Sequence, residues 1–236
     1  MKFDFKVYSK IKEAWPMYKK HFGAFILLIS ITLAFQFIVQ GNHGYDDNIF
    51  PVLVAYILNI VLSFVWIRSM LNLIDNGNFS PFSKESLPTL SEFWDFTKTL
   101  ILSSLIILGG FILLIIPGFY FAGRLMFVQY LSVEKKQGAR KNISESWNIT
   151  KGYGWKIFWK SFVIGLFAIL GFIALFVGSL ITYPLAMIVT AMLYREFFKF
   201  KMSEVTEIIK EATVEVKEII VEGKIEEEKK VIEESI

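Results

Sequence analysis

The sequence predicts an all-α integral membrane protein with six transmembrane helices arranged as three hairpins. Of its 236 residues, 54% are hydrophobic and only 20% are charged, and the mean hydropathy is +0.51. A soluble domain carries about a quarter charged residues. Here the apolar residues fall in long uncharged blocks, which excludes an ordinary water-soluble globule. Because the sequence contains no cysteine, disulfides, thiolate catalysis and cysteine-ligated metals are excluded as well.

Residues 1–21 predict an interfacial helix. Phe3, Val7, Ile11 and Trp15 recur at helical spacing, and six lysines lie among them. We expect this helix to lie in the cytoplasmic headgroup region, with its apolar face toward the bilayer and its lysines toward anionic lipid. The alternative is a lysine-rich segment that only orients the first span.

Six apolar blocks follow and predict a transmembrane domain over residues 22–201. The predicted spans cover residues 22–40, 49–74, 99–116, 118–133, 161–177 and 179–194. A block of about 20 residues crosses roughly 30 Å of hydrocarbon at 1.5 Å per residue. The last four blocks are shorter, so we expect them to thin the bilayer or to extend into their flanks. A re-entrant hairpin is the alternative for one of these pairs.

Three residues are interpreted as structural turns. Pro117 and Gly118 predict a tight turn between the third and fourth spans, because proline fixes φ and glycine permits unusual values. Pro184 is expected to mark the start of the sixth helix. A gating hinge is the functional alternative for these positions.

The basic residues of the loops predict the orientation. Residues 41–48 contain two aspartates and no lysine or arginine, whereas the N-terminus, the longer connections and the segment after the last span, with Arg195, Lys199 and Lys201, are basic. Positive loops stay in the cytoplasm. We therefore expect a protein of the cytoplasmic membrane with both termini inside, which requires an even number of spans.

The last segment, residues 202–236, differs in charge from the rest of the chain. It holds eleven glutamates and five lysines, a net charge of −6. Apolar residues between Val205 and Ile220 recur at helical spacing, which predicts an amphipathic acidic helix in the cytoplasm. Gly223 is expected to interrupt it. The apolar stripe predicts contact with a protein partner or self-association, and residues 138–150 predict a second interfacial helix.

A series of motifs between Leu108 and Ile157 resembles a known family. In order they are Gly109-Gly110, Pro117-Gly118, Arg124, Glu134, Ser146-Trp147 and Lys151-Gly152. The pattern is similar to a prokaryotic family of six-span membrane proteins of unknown biochemistry. The same unit occurs as the membrane domain of some glycerophosphoryl diester phosphodiesterases. The resemblance covers Ile11 to about Lys199 and implies a fold, but no reaction.

Arg124 is the strongest candidate for a binding residue. It falls near the middle of a short predicted span, where a charged side chain costs about 2.5–3.5 kcal/mol and normally faces the bundle or a wet cavity. Asn59 on the second span, with Tyr120 and Gln129 on its own span, is expected to complete a polar pocket for an anionic group, such as a lipid phosphate or a solute. The alternative is a structural arginine that bonds open carbonyls or reaches the outer headgroups.

No known catalytic motif is present in the sequence. It contains no Ser/His/Asp order, no Walker loop and no helical metal-ligand motif. We therefore expect no catalytic residue, metal or cofactor, and no nucleic acid as a partner. His43, Asp46 and Asp47 are interpreted as a solvated outer turn.

Three classes of function remain. The favoured one is a non-enzymatic membrane protein that organises lipid or partner proteins. The first alternative is a small transporter or channel with a polar site near Arg124 and Asn59. The second is a membrane enzyme that acts on lipid.

Overall fold

A computed structural model describes residues 3–41, 50–173 and 177–234, and within these ranges the chain is helical without strands. The predicted outer turn at His43, Asp46 and Asp47 lies outside the described residues. The helices are α1 (Val7–Lys20), α2 (Phe22–Gly41), α3 (Phe50–Asn76), α4 (Leu90–Leu113), α5 (Ile115–Arg124), α6 (Val128–Lys135), α7 (Ala139–Ile149), α8 (Gly154–Ile173) and α9 (Val177–Glu234), with a 3₁₀ turn at Lys84–Ser86. The all-α class is confirmed.

Three of the described helical stretches are long and apolar enough to cross a membrane: Val52–Asn76, Lys84–Leu113 and Gly154–Gly171. Val7–Lys20 and Phe22–Ala34 meet this condition together, although they are bent by 90° where they join. The chain is therefore a helical membrane protein with three or four such stretches. The number of six crossings stays a prediction.

The chain divides into two compact units. The larger one is Phe5–Arg195, and the other combines the first four residues with Glu196–Ile236. In the larger unit α4 packs against α5, α6 and α7, and α5 also packs along α8. In the smaller unit the ring of Phe3 contacts those of Phe197 and Phe200, with centroids 5.1 and 5.3 Å apart.

The first turn of α4 follows from a local sequence signal. Thr89 precedes the helix, and Glu92 follows three residues later, as in a capping box. The Glu92 amide donates to the hydroxyl of Thr89 over 3.4 Å, and the Thr89 amide donates to the Glu92 carboxylate over 2.7 Å. The two hydrogen bonds thus satisfy the amides of Thr89 and Glu92, which have no partner within the helix.

The break between α4 and α5 is at Leu114, so the prediction of a turn at Pro117 and Gly118 is wrong. Leu114 is extended, with φ −165° and ψ 150°. Pro117 is instead the third residue of α5, where the helix needs no amide donor. Gly118 lies inside α5, where a β-carbon would sit 2.4 Å from the ring of Phe111. The glycine is required by packing and not by a turn.

The predicted fourth span, residues 118–133, is two helices and not one. Residues 125–127 separate α5 from α6, and within this break the Val128 amide donates to the carbonyl of Leu125, three residues earlier, over 3.1 Å, as in a 3₁₀ turn. The predicted fifth span also starts earlier, because α8 begins at Gly154.

Pro184 lies inside α9 and does not start a helix. Proline has no amide hydrogen, so the carbonyl four residues earlier, that of Leu180, loses its helical donor. The hydroxyl of the buried Tyr18 on α1 donates to this carbonyl over 3.2 Å. The tertiary contact thus replaces the missing helical bond. The interruption predicted at Gly223 is wrong as well, since α9 continues to Glu234.

In α1 the buried positions differ from the predicted apolar stripe. Ala14 and Tyr18 are buried, whereas Trp15 is 39% and Tyr8 is 72% exposed. The ammonium groups of Lys12 and Lys19 lie 4.8 and 5.0 Å from the rings of Tyr8 and Trp15. This outward face therefore combines aromatic rings with lysines.

Candidate functional site

Arg124 is the last residue of α5 and is almost completely buried, at 3% exposure. Its Nη2 donates to the backbone carbonyl of Trp147, near the end of α7. The centre of the guanidinium lies 4.5 Å from the Trp147 ring centroid and 5.7 Å from that of Tyr120. The arginine therefore supplies a donor to one of the last carbonyls of α7, which the helix leaves open, and it is held between two aromatic faces.

The backbone of Arg124 is bonded to the same helix end. Its carbonyl accepts hydrogen bonds from the hydroxyls of Ser146, over 2.9 Å, and Thr150, over 3.0 Å. Both hydroxyl side chains are buried. Because main chain and side chain of one residue bond to α7, the ends of α5 and α7 are fixed to each other.

Two glycines bring α8 close to this point. A β-carbon on Gly123 would lie 2.4 Å from the carbonyl oxygen of Gly154, and one on Gly154 would lie 2.9 Å from Cδ of Arg124. Only glycine permits these helix backbones to approach so closely. Three helices thus converge on Arg124.

Of the residues predicted to share a pocket with Arg124, the structure brings only Tyr120 to it. Asn59 and Gln129 are exposed, and among the described residues neither forms a hydrogen bond with Arg124. The Nε atom of Arg124 is buried and has no hydrogen-bond partner among the residues that the structure describes. These contacts favour the structural alternative, in which Arg124 bonds the end of α7. The anion pocket stays a prediction.

A separate groove lies between the side of α4 and the beginning of α7. It has a volume of about 570 Å³. Its lining is Asp95, Lys98, Ile101, Leu102, Leu105, Gln137, Gly138, Ala139, Arg140 and Lys141. The apolar part comes from two turns of α4, and the polar part comes from the first turn of α7 and from the preceding turn of α4.

The cations of this groove are unpaired among the residues that the structure describes. Lys98, Arg140 and Lys141 are exposed and take part in no ion pair within that part of the chain. Asp95 is the lone carboxylate in the lining, so the groove carries a net charge of +2. The N-cap residue of α7, Gly138, has no side chain that could accept hydrogen bonds from the open amides at the start of the helix. The groove therefore offers cationic and amide donors above an apolar floor.

Arg68 was not identified from the sequence, although it joins four elements. Its Nη2 donates to Glu92 Oε1 over 2.7 Å, and Lys136 Nζ lies 2.7 Å from the same oxygen. Its Nη1 donates to the backbone carbonyl of Glu85 over 3.0 Å. The capping box makes Glu92 a helix cap, but its cationic partners, Arg68 on α3 and Lys136 just after α6, are 24 and 44 positions away. No local pattern signals this arrangement.

Arg195 forms a second such bridge at the end of the larger unit. Its Nε donates to Asp75 Oδ1 over 2.8 Å, and its Nη1 pairs with Glu134, which also accepts from the hydroxyl of Tyr194. Burial lowers the pKa of Arg195, but its hydrogen bonds to Glu134 and Asp75 outweigh burial and raise the pKa above its ordinary value. The charged guanidinium thus ties α9 to α3 and α6.

The described residues contain no group of three or more histidine, aspartate and glutamate side chains that suits a metal ion. Two of the described carboxylates serve instead as ion-pair partners, those of Glu92 and Glu134, and Glu92 is also a helix cap. We therefore assign no metal role to any of these side chains.

Comparison with protein families identifies the same region that the motifs indicated. Residues 95–211 match the model of a family described as the membrane domain of glycerophosphoryl diester phosphodiesterase. The match confirms the resemblance predicted from the order of motifs, and it contains both Arg124 and the groove between α4 and α7. Comparison with curated proteins and with solved structures gives no match.

Proposed function

We propose that this chain is a non-enzymatic protein of the cytoplasmic membrane that organises lipid, and that the groove between α4 and α7 binds an anionic phospholipid. The observation that carries the proposal is the groove itself. Three cations with no ion-pair partner in the described chain, Lys98, Arg140 and Lys141, stand at the rim of an apolar surface. A water-soluble anion would not need that surface, and a neutral lipid would not need the cations.

The dimensions of the groove suit a lipid at the edge of the bilayer. Lys98 and Leu105 lie seven residues apart on α4, a rise of about 10 Å. A phosphate bonded by the cations and the first amides of α7 would direct its acyl chain along Ile101 and Leu105, which are 58% and 57% exposed. Phosphate contacts with arginine and lysine are charge-assisted and therefore strong. Asp95 would accept a hydrogen bond from a hydroxyl or ammonium group of the headgroup.

Several features support an orientation in which this end of the protein faces the cytoplasm. The groove cations belong to basic connections, and positive loops remain inside. Rings and lysines alternate on the outward face of α1, as suits a helix in the interface. We propose that both termini lie on this side, with an even number of crossings.

The family description agrees with lipid chemistry without fixing it. It names a membrane domain that belongs with a glycerophosphoryl diester phosphodiesterase. We propose that the phosphodiester of an intact phospholipid is the group that the groove recognises. The transporter alternative has less support, because Arg124 is bonded to α7 and Asn59 is exposed elsewhere. No residue arrangement in the described part of the chain supports the lipid-enzyme alternative.

A charge-matched pair of variants tests the groove. Arg140→Gln with Lys141→Gln removes two groove cations, and Lys84→Gln with Lys151→Gln removes two exposed lysines outside it. Each cation near an anionic surface contributes about 1 kcal/mol. The groove variant should therefore bind phosphatidylglycerol about 30-fold more weakly in nanodiscs, as measured with a spin-labelled lipid.

The control variant separates groove binding from general charge. It should retain wild-type affinity for the labelled lipid, and soluble glycerol phosphate should not displace that lipid. Equal losses in both variants would show that only the overall charge matters. Displacement by glycerol phosphate would show a site for a soluble anion, and either result would overturn the proposal.

A further inference from the structure

The contacts between α5 and α8 define how far the hairpin of α4 and α5 extends along α8. The rings of Phe119 and Phe158 have centroids 5.1 Å apart, and Gly123 meets the backbone of Gly154. Moving four residues back along α5 thus corresponds to moving four residues forward along α8. The two helices are antiparallel with a constant register.

In this register the tip of the hairpin lies beside the middle of α8. Leu114, where α4 turns into α5, is five residues before Phe119 and so falls opposite Val163. Helix α8 continues for ten residues beyond that level, to Ile173, a rise of about 15 Å. That distance is about half of a 30 Å hydrocarbon layer. If α8 crosses the bilayer, the tip ends well inside it.

The side chains of the tip suit a hydrocarbon environment. The five residues from Ile112 to Ile116 are aliphatic and between 67% and 76% exposed. No charged residue occurs in the sequence between Lys98 and Arg124. A turn in the far headgroup layer would normally present tryptophan, tyrosine, lysine or arginine. The tip presents none of these.

The extended residue of the turn is bonded within the hairpin, which suits burial in lipid because each open polar group there costs several kcal/mol. The Leu114 amide donates to the carbonyl of Gly110 over 3.1 Å, and its own carbonyl accepts from the amide of Gly118 over 3.3 Å. Pro117 contributes no amide hydrogen. The extended residue is therefore fully bonded, and the start of α5 has one open donor fewer.

We propose that the α4–α5 hairpin is re-entrant, and that its tip contacts lipid acyl chains inside the bilayer without reaching the far surface. A re-entrant hairpin enters and leaves on the same side, so it changes the number of crossings by two. Both termini then stay on one side whether or not the hairpin crosses. A test of terminal orientation therefore cannot distinguish a re-entrant hairpin from a crossing one, whereas a measurement of the depth of the tip can.

The natural lack of cysteine makes this measurement direct, because any introduced cysteine is the single labelling site. Leu114→Cys and Ile116→Cys place a label at the tip, and both side chains are two-thirds exposed, so no packed core is disturbed. Val163→Cys on α8 marks the expected depth of the tip. Phe50→Cys, at the far end of α3, and Ser144→Cys, on α7, mark the two surfaces.

A spin label at each site reports depth through its relative accessibility to oxygen and to a water-soluble nickel complex. The two tip sites should match Val163→Cys, and a membrane-impermeant maleimide should label neither tip site from either side of a vesicle. The surface references should be labelled, each from one side. Labelling of both tip sites from the side that labels Phe50→Cys, or a tip depth equal to that reference, would show a crossing hairpin. This result does not depend on lipid binding at the groove.

Discussion

The close contact of α5 with α8 predicts that a single methyl group at Gly123 destabilises the protein. A β-carbon there would lie 2.4 Å from the carbonyl oxygen of Gly154 and 3.0 Å from Cβ of Phe158. A backbone oxygen cannot rotate away as the end of a side chain can. Gly123→Ala must therefore move α8 away from α5 and disturb the packing of Arg124.

The expected magnitude follows from two opposing terms. Overpacking of a tight contact costs about 1–3 kcal/mol, whereas replacing glycine by alanine within a helix gains up to about 1 kcal/mol. Gly165→Ala on α8 isolates the second term, because a β-carbon there meets nothing within 4 Å. The two variants should therefore differ in stability by about 1–3 kcal/mol, with Gly123→Ala the less stable.

Thermal unfolding of the purified protein in detergent, followed by far-UV circular dichroism, measures this difference. A free-energy difference of 1 kcal/mol corresponds to about 2–4 °C in Tm for a domain of this size. Gly165→Ala should raise the Tm slightly, and Gly123→Ala should fall below it by about 2–12 °C. Equal Tm values for the two variants would refute the reasoning, since the contact would then tolerate a methyl group.

Three further outcomes follow from other contacts. Tyr18→Phe should lower the free energy of unfolding by about 1–3 kcal/mol, because it leaves the Leu180 carbonyl without a donor. In a Pro184→Ala background the helix supplies its own amide, so the same change should cost much less. An equal cost in both backgrounds would show that Tyr18 does not replace the missing helical bond. Arg68→Gln should destabilise the protein more than Lys84→Gln, by about 2 kcal/mol or more in chemical denaturation, because it leaves the buried Glu92 carboxylate with weaker pairing. A chain truncated after Lys201 should insert and fold normally but lose self-association or binding of a partner, as measured by light scattering and cross-linking. The reason is that truncation removes the exposed apolar side chains of the tail. Unchanged association, or failed insertion, would count against a role of the tail in association.

Local signals in the sequence determined the class of the protein, whereas several predicted helix boundaries were wrong, since α4 begins at Leu90 and α8 at Gly154, before the predicted spans at residues 99 and 161. Long uncharged apolar blocks exclude an ordinary soluble fold because they must be shielded from water by lipid or by one another. The start of α4 does carry a local signal, the capping box of Thr89 and Glu92, which our prediction did not use although its residues are only three positions apart. The order of motifs around Arg124 likewise predicted the family resemblance that the comparison confirmed.

Tertiary structure alone decided which polar residues meet. Helical position suggested Asn59 and Gln129 as neighbours of Arg124, but depth along a helix says nothing about the direction in which a side chain faces a neighbouring helix. The observed partner is a backbone carbonyl, that of Trp147, and every residue has one. No residue type in the sequence therefore marks it.

The groove and the true position of the turn depended on tertiary packing for the same reason. The groove brings Lys98 together with Arg140 and Lys141 across more than 40 positions of the chain. The sequence showed these residues only as basic residues of the loops, because their proximity depends on how the helices pack. Proline and glycine favour a turn by their intrinsic conformations, yet the chain turns at Leu114 and uses Gly118 for contact with Phe111. The helix propensity of glycine costs about 1 kcal/mol, which packing between helices outweighs, and proline is tolerated in the first turn of a helix.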